Sequence, residues 1–174
     1  DETKTDYTLT YTKSGEPLTV TVYATLYKAY PVIEWTIWLT NTGDKNSAQI
    51  TDFNALGYVF GAEQADSQFK LTTFEGSHEA NDSFKAETLV LDKDQSKQVS
   101  GTGGKSSVTW SPYINLQWAS EKAAWGKEGV FISNGWSGQW TTISSNTGSG
   151  VEVVAKQEYL DTYLAPGESI RSPL

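Results

Sequence analysis

Residues 18–28, LTVTVYATLYK, alternate without a break: Leu18, Val20, Val22, Ala24 and Leu26 fall on one side of an extended chain, Thr19, Thr21, Tyr23, Thr25 and Tyr27 on the other. A period of two marks a β-strand with one face toward a core, because successive side chains of a strand point to opposite faces. Pro31 interrupts the run and VIEWTIWLTN (32–41) resumes it, with Ile33, Trp35, Ile37 and Leu39 on one face and Glu34, Thr36, Trp38 and Thr40 on the reverse. NTGDKNS (41–47) supplies turn-forming residues before the next run, QITDFNAL (49–56). The first half reads as an antiparallel meander.

The same reading gives strands at 7–12, 69–74, 87–91, 108–118, 129–134, 139–144, 150–157 and 159–164. SEKAAW (120–125), closed by Gly126, is too short for more than one turn of helix. The expected fold is therefore all-β: an antiparallel two-layer β-sandwich forming a single domain over 1–174, a length that suits one domain. GSHEANDS (76–83) and SGTGGKSS (100–107) are polar, glycine-rich loops, where binding residues concentrate.

Composition removes several functions. The absence of cysteine excludes a disulfide framework, a thiolate nucleophile and a zinc–thiolate site. A net charge of -8 repels nucleic acid and anionic lipid, and no apolar run approaches the ~18 residues of a membrane helix. The start at Asp1, with no methionine in the sequence, reads as a trimmed or processed chain. The only histidine, His78, has no GxSxG or other nucleophile context. Asp52, Glu75, Glu79, Asp82 and Glu158 sit where solvated carboxylates sit, without the pairing that a glycosidase needs. GTGGK (101–105) lacks phosphate-loop spacing. No cofactor is expected; calcium on loop aspartates is the one metal left open, without a DxDxDG pattern to support it.

The aromatics say more, because sugar rings present apolar C–H faces that stack on indole or phenol planes while amides take their hydroxyls. Trp35 shares its face with aliphatic residues and is expected in the core. Trp38 points the other way, between Thr36 and Thr40, as a platform or an outer packing residue. Trp125 precedes Gly126 in a polar connection, and Trp136 and Trp140 flank Ser137-Gly138-Gln139, where Asn134, Ser137 and Gln139 could grip hydroxyls or the rings could pack at a strand corner.

YPVIEWTIWLTNTGD (30–44), GKSSVTWSPYINLQW (104–118), GVFISNGWSGQW (129–140) and YLAPGESIRSPL (163–174), in this order, resemble the N-terminal β-supersandwich domain of family 36-type, melibiase-like α-galactosidases. In that family two aspartates of a following (β/α)8 barrel do the hydrolysis, so the resemblance implies a non-catalytic domain that lacks the catalytic pair. It also implies that Lys105, Ser106, Ser107, Tyr113 and Asn115 match loops facing the barrel mouth or a neighbouring subunit. The family domain usually begins further upstream with additional strands. This chain thus reads either as one cut short or as a module isolated for its own glycan binding. The expected function is binding of plant-type polysaccharide or oligosaccharide by a secreted, extracellular bacterial protein. Its site would comprise Trp38, Trp125, Trp136, Trp140, Tyr113, Asn115, Asn134 and Gln139. The alternative is a structural or oligomerisation domain capping the C-terminal barrel, with no sugar affinity of its own.

Overall fold

The computed structural model describes residues 2–62, 68–77, 83–120 and 123–174, with the backbone alone for Ser120 and for 123–127. Among them are the strands β1 (Lys4–Thr12), β2 (Leu18–Tyr27), β3 (Val32–Asn41), β4 (Asn54–Phe60), β5 (Phe69–Glu75), β6 (Ala86–Val90), β7 (Ser96–Ser100), β8 (Trp110–Ser120), β9 (Ala123–Ser133), β10 (Trp140–Asn146), β11 (Val151–Gln157) and β12 (Ser169–Arg171), and no α-helix. The described residues are all-β and antiparallel, in three four-stranded sheets, and the chain divides into two compact units, Asp1–Ala55 with Tyr159–Leu174, and Leu56–Glu158.

The first unit holds the sheet β1-β2-β3-β12. The alternation read from the sequence sets its faces: Val22 lies between Leu9 and Ile37, and Ala24 between Tyr7 and Trp35, in one apolar set of rows. The reverse carries Thr21 between Thr10 and Trp38. Leu39 is buried and Trp35 half-buried, its indole N–H donating to the Ala55 carbonyl at 2.9 Å.

The second unit is two-layered. The sheets β4-β11-β10-β7 and β6-β5-β8-β9 enclose a core of Phe69 and Leu71 (β5), Ile114 and Leu116 (β8), Val99 (β7), Trp140 (β10), Val151 and Val153 (β11) and Leu91. Each such side chain contributes about 1.5–3 kcal/mol on burial. At the sheet edges Lys97 of β7 lies 3.1 Å from Glu87 of β6 and 4.6 Å from the Trp110 ring centre.

One turn is built twice, once in each unit. In the first, Asn41 at the end of β3 donates from Nδ2 to the Leu164 carbonyl (2.8 Å) and accepts the Gly43 N–H (3.0 Å). The Glu168 side chain accepts the Ala165 N–H, and the N–H of Gly167, at φ 79°, reaches the Asn41 carbonyl. In the second, Asn146 at the end of β10 donates to the Leu91 carbonyl (2.8 Å) and accepts the Gly148 N–H (2.9 Å). The Gln95 side chain accepts the Asp92 N–H, and Asp94, at φ 65°, bonds the Asn146 carbonyl. Leu-x-x-(Gly/Asp)-(Glu/Gln)-Ser meets Asn-Thr-Gly in both. Left-handed backbone costs glycine little and is most tolerated otherwise by Asn and Asp, which fits Gly167 and Asp94.

The structure departs from the sequence reading at four places. In 49–56 only Ile50 pairs before β4, with Thr162, and β4 itself starts at Asn54. The segment 159–164 is no strand, because Tyr159 takes φ 57° and breaks the extended chain at its first residue. Of SEKAAW (120–125), expected as a turn of helix, Ser120 ends β8 and 123–125 open β9, with Ser120 opposite Ala123, while 121 and 122 lie outside the described residues. The short strands β7 and β12 were not expected, since SKQVS and SIR offer almost no apolar alternation and are held by pairing to β10 and β3.

Candidate functional site

The outer face of β6-β5-β8-β9 assembles by register. On β8, Ile114 and Leu116 point into the core, so Tyr113, Asn115 and Gln117 point out. On β9 the same parity turns Phe131 outward between Val130 and Ile132. Pairing then lays down one row of Thr88, Thr72, Asn115 and Phe131, and beside it a row of Val90, Lys70, Gln117 and Gly129, with neighbours about 4.8 Å apart across the strands. Tyr113 stands opposite Ser133 and so diagonal to Phe131.

Those two rings form the centre of the face. Their centroids are 5.8 Å apart at an interplanar angle of 23°, and Tyr113 and Phe131 are 43% and 61% exposed. The Thr72 and Thr88 hydroxyls meet at 2.8 Å. A stacked, nearly parallel pair of exposed rings, flanked by two amides and two hydroxyls, can offer a ring face to the C–H groups of a ligand while the polar groups bond its hydroxyls.

Of the residues singled out in the sequence, the structure brings Tyr113 and Asn115 to this face. Trp38 lies in the other unit, half-buried between Thr21 and Arg171. Trp140 is a core residue, 1% exposed, with its indole N–H donating to the Ser106 carbonyl at 2.7 Å, so it offers no ring to a ligand. Trp136 packs against the same core. Asn134 is buried, and its side-chain oxygen accepts the Trp136 N–H at 3.1 Å. Gln139 is a clamp: its amide donates to Glu158 (2.7 Å) and accepts the Gly104 N–H (3.1 Å), tying down loop 101–107. The Trp125 side chain, His78, Glu79 and Asp82 lie outside the described residues. Phe131, Gln117, Thr72 and Thr88 were missed. The outward parity of Phe131 in GVFISN was the available signal.

Two hydrogen bonds of the first unit shift the titration of their partners. The Thr25 hydroxyl, 2.7 Å from Asp6, lowers that carboxyl's pKa, with Lys4 adding to the effect, and the Glu34 carboxylate that accepts the Tyr27 phenol (2.9 Å) raises the Tyr27 pKa. Among the described residues no three His, Asp or Glu side chains converge as metal ligands.

No protein-family model matches the sequence, and neither does any curated protein. Solved structures do match. The galactosidase domain of the α-galactosidase–sucrose kinase AgaSK superposes at a TM-score of 0.77 with 17% identity, over 99% of this chain and 23% of that one. The GH36 α-galactosidase AgaB from Geobacillus stearothermophilus gives 0.79 and 19% over the same shares. The α-galactosidase from Lactobacillus brevis gives 0.71 and 13%, over 98% of this chain and 22% of that one. The fold is thus that of one part of GH36 α-galactosidase chains, and this chain spans less than a quarter of their length.

Proposed function

We propose that the chain is a non-catalytic accessory domain that binds neutral polysaccharide on the β6-β5-β8-β9 face, and that it serves a larger extracellular glycoside hydrolase whose chemistry resides in a catalytic barrel. The observation that carries this reading is the Tyr113–Phe131 pair: two exposed rings 23° from parallel, with Asn115, Thr72 and Thr88 in the row of Phe131 and Gln117 in the row beside it. The fold's occurrence as a part of α-galactosidases supports the sugar link. The net charge of -8 favours a neutral polymer over an acidic one. Stacking with hydrogen bonding needs neither metal nor cofactor.

Affinity electrophoresis in gels containing galactomannan, xyloglucan, xylan or β-glucan tests it. At least one polymer is expected to retard the chain, and Tyr113→Ala or Phe131→Ala to weaken that retardation roughly tenfold, a loss of about 1.4 kcal/mol. Trp38→Ala serves as the control and should change nothing. A structural role without sugar affinity is the second reading. It draws on the apolar face of the first unit's sheet, on which Leu9, Leu26 and Ile33 remain substantially exposed. Absence of retardation on all four polymers would select it.

A further inference from the structure

A groove of about 280 Å³ crosses β1, β2 and β3 on the polar face of the first unit's sheet. Pairing sets Asp6, Thr25 and Glu34 in one row and Thr8, Tyr23 and Thr36 in a second on the same side, while Tyr7, Ala24 and Trp35 between them turn the other way. The two rows are therefore the walls and the backbone of the middle row is the floor, with Leu174 also lining the groove. Two residues of strand separate the walls by about 7 Å, and three strands make each about 10 Å long. Both walls consist of hydroxyl, phenol and carboxylate side chains, a composition that turns this face to water.

One wall accepts hydrogen bonds and the other offers a ring. The Thr25 hydroxyl donates to Asp6 Oδ1 (2.7 Å) and the Tyr27 phenol to Glu34 Oε1 (2.9 Å), and no hydrogen bond among the described residues uses Asp6 Oδ2 or Glu34 Oε2. On the opposite wall Tyr23 is 50% exposed, between Thr8 and Thr36. A ligand that fills this space needs donors along one edge and an apolar face on the other. A pyranose has both, since its hydroxyls donate to carboxylates while its C–H face stacks on a phenol ring. A bare cation does not match, because the two carboxylates stand at opposite ends of their row with Thr25 between them, and no third His, Asp or Glu joins them among the described residues.

From this we infer that the groove is a second carbohydrate site, one that takes a single neutral pyranose unit between Tyr23 and the Asp6 and Glu34 carboxylates. Its volume falls just below the roughly 300–1,000 Å³ of pockets for drug-sized ligands, which suits one sugar ring rather than a length of polymer. The groove shares no residue with the β6-β5-β8-β9 face and binds through charged acceptors in place of amides. Those charges also set its specificity. Ionised carboxylates take hydroxyl donors and repel an acidic sugar, so a uronate is rejected where the neutral pyranose is held. Thr25 and Lys4 keep the Asp6 carboxyl in that ionised form by holding its pKa below the ordinary value.

Titration of the isotope-labelled chain with the methyl pyranosides of galactose, glucose and mannose, followed by amide resonances, tests this. Sodium methyl glucuronide and methylammonium chloride serve as the acidic and cationic probes. At least one neutral pyranoside is expected to give saturable shifts at Tyr23, Thr25 and Thr36, and neither ionic probe to do so. Tyr23→Ala removes the ring, and Glu34→Gln turns one carboxylate oxygen into a donor while keeping the other for Tyr27; each should weaken binding about tenfold. Tyr23→Phe keeps the ring and should bind within about twofold of the wild type, which separates a lost platform from a lost fold. Tyr113→Ala, the variant expected to weaken retention on polysaccharide, should leave these shifts unchanged, so the two sites fail independently. The inference is overturned by the absence of saturable shifts at these residues with every neutral pyranoside, by equal shifts from either ionic probe, or by binding that survives both Tyr23→Ala and Glu34→Gln.

Discussion

Asn41 and Asn146 each end a strand, are buried, and spend both ends of the amide on backbone partners. Removing such an amide leaves a carbonyl and an N–H without these partners, Leu91 and Gly148 at Asn146, Lys45 and Gly43 at Asn41, where the Leu164 carbonyl keeps the Ser47 N–H, at about 1–3 kcal/mol for each buried group. Asn146→Ala is therefore expected to destabilise the chain by roughly 2–4 kcal/mol, read from the urea midpoint, with Asn41→Ala similar. Titration has opposite signs at Asp6 and Tyr27. The lowered Asp6 pKa gives stability that is present above the ordinary carboxylate pKa of about 3.9 and is lost as pH falls through the native value. The raised Tyr27 pKa gives stability present below about pH 10 and lost as pH rises through the native value, so Tyr27→Phe should flatten the alkaline decline in urea midpoint. Little of this was legible. Asn-Thr-Gly reads as a turn, but which carbonyl its amide seeks depends on a Leu-x-x-(Gly/Asp)-(Glu/Gln)-Ser segment far along the chain, and the two copies share too few identities to show as a repeat.

Trp140 shows how an element fixes a loop. Its ring fills the core between the sheets of the second unit while its N–H holds Ser106, and Gln139 beside it holds Gly104. Trp140→Ala should cost about 3–5 kcal/mol. Trp140→Phe should cost about 1–3 kcal/mol and raise amide exchange across 101–107, because Ser106 loses its donor. Strands with strict alternation, β2, β3 and β11, were legible to within a residue or so. β7 and β12 were not, since pairing rather than pattern makes them strands. Trp136 and Trp140 were ambiguous because NGWSGQW permits an exposed corner or a core one, and only the opposing sheet decides.

At the scale of the molecule, all-β class followed from period two, whereas the division into two units, with β12 returning from the chain's end to pair with β3, rests on contacts distant in sequence. Two of the residues proposed for the glycan face, Tyr113 and Asn115, stood among those singled out in the sequence; their partner Phe131 emerges only once β8 and β9 are in register. The central claim is that this face takes the ligand and the tryptophans do not. A titration of the isotope-labelled chain with a soluble oligosaccharide of whichever polymer retards it, followed by amide and indole N–H resonances, measures that directly. The account predicts shifts at the amides of Tyr113, Asn115, Phe131 and Thr72 with the Trp38, Trp136 and Trp140 indoles unmoved. Shifts centred on those indoles, with the face silent, would contradict it.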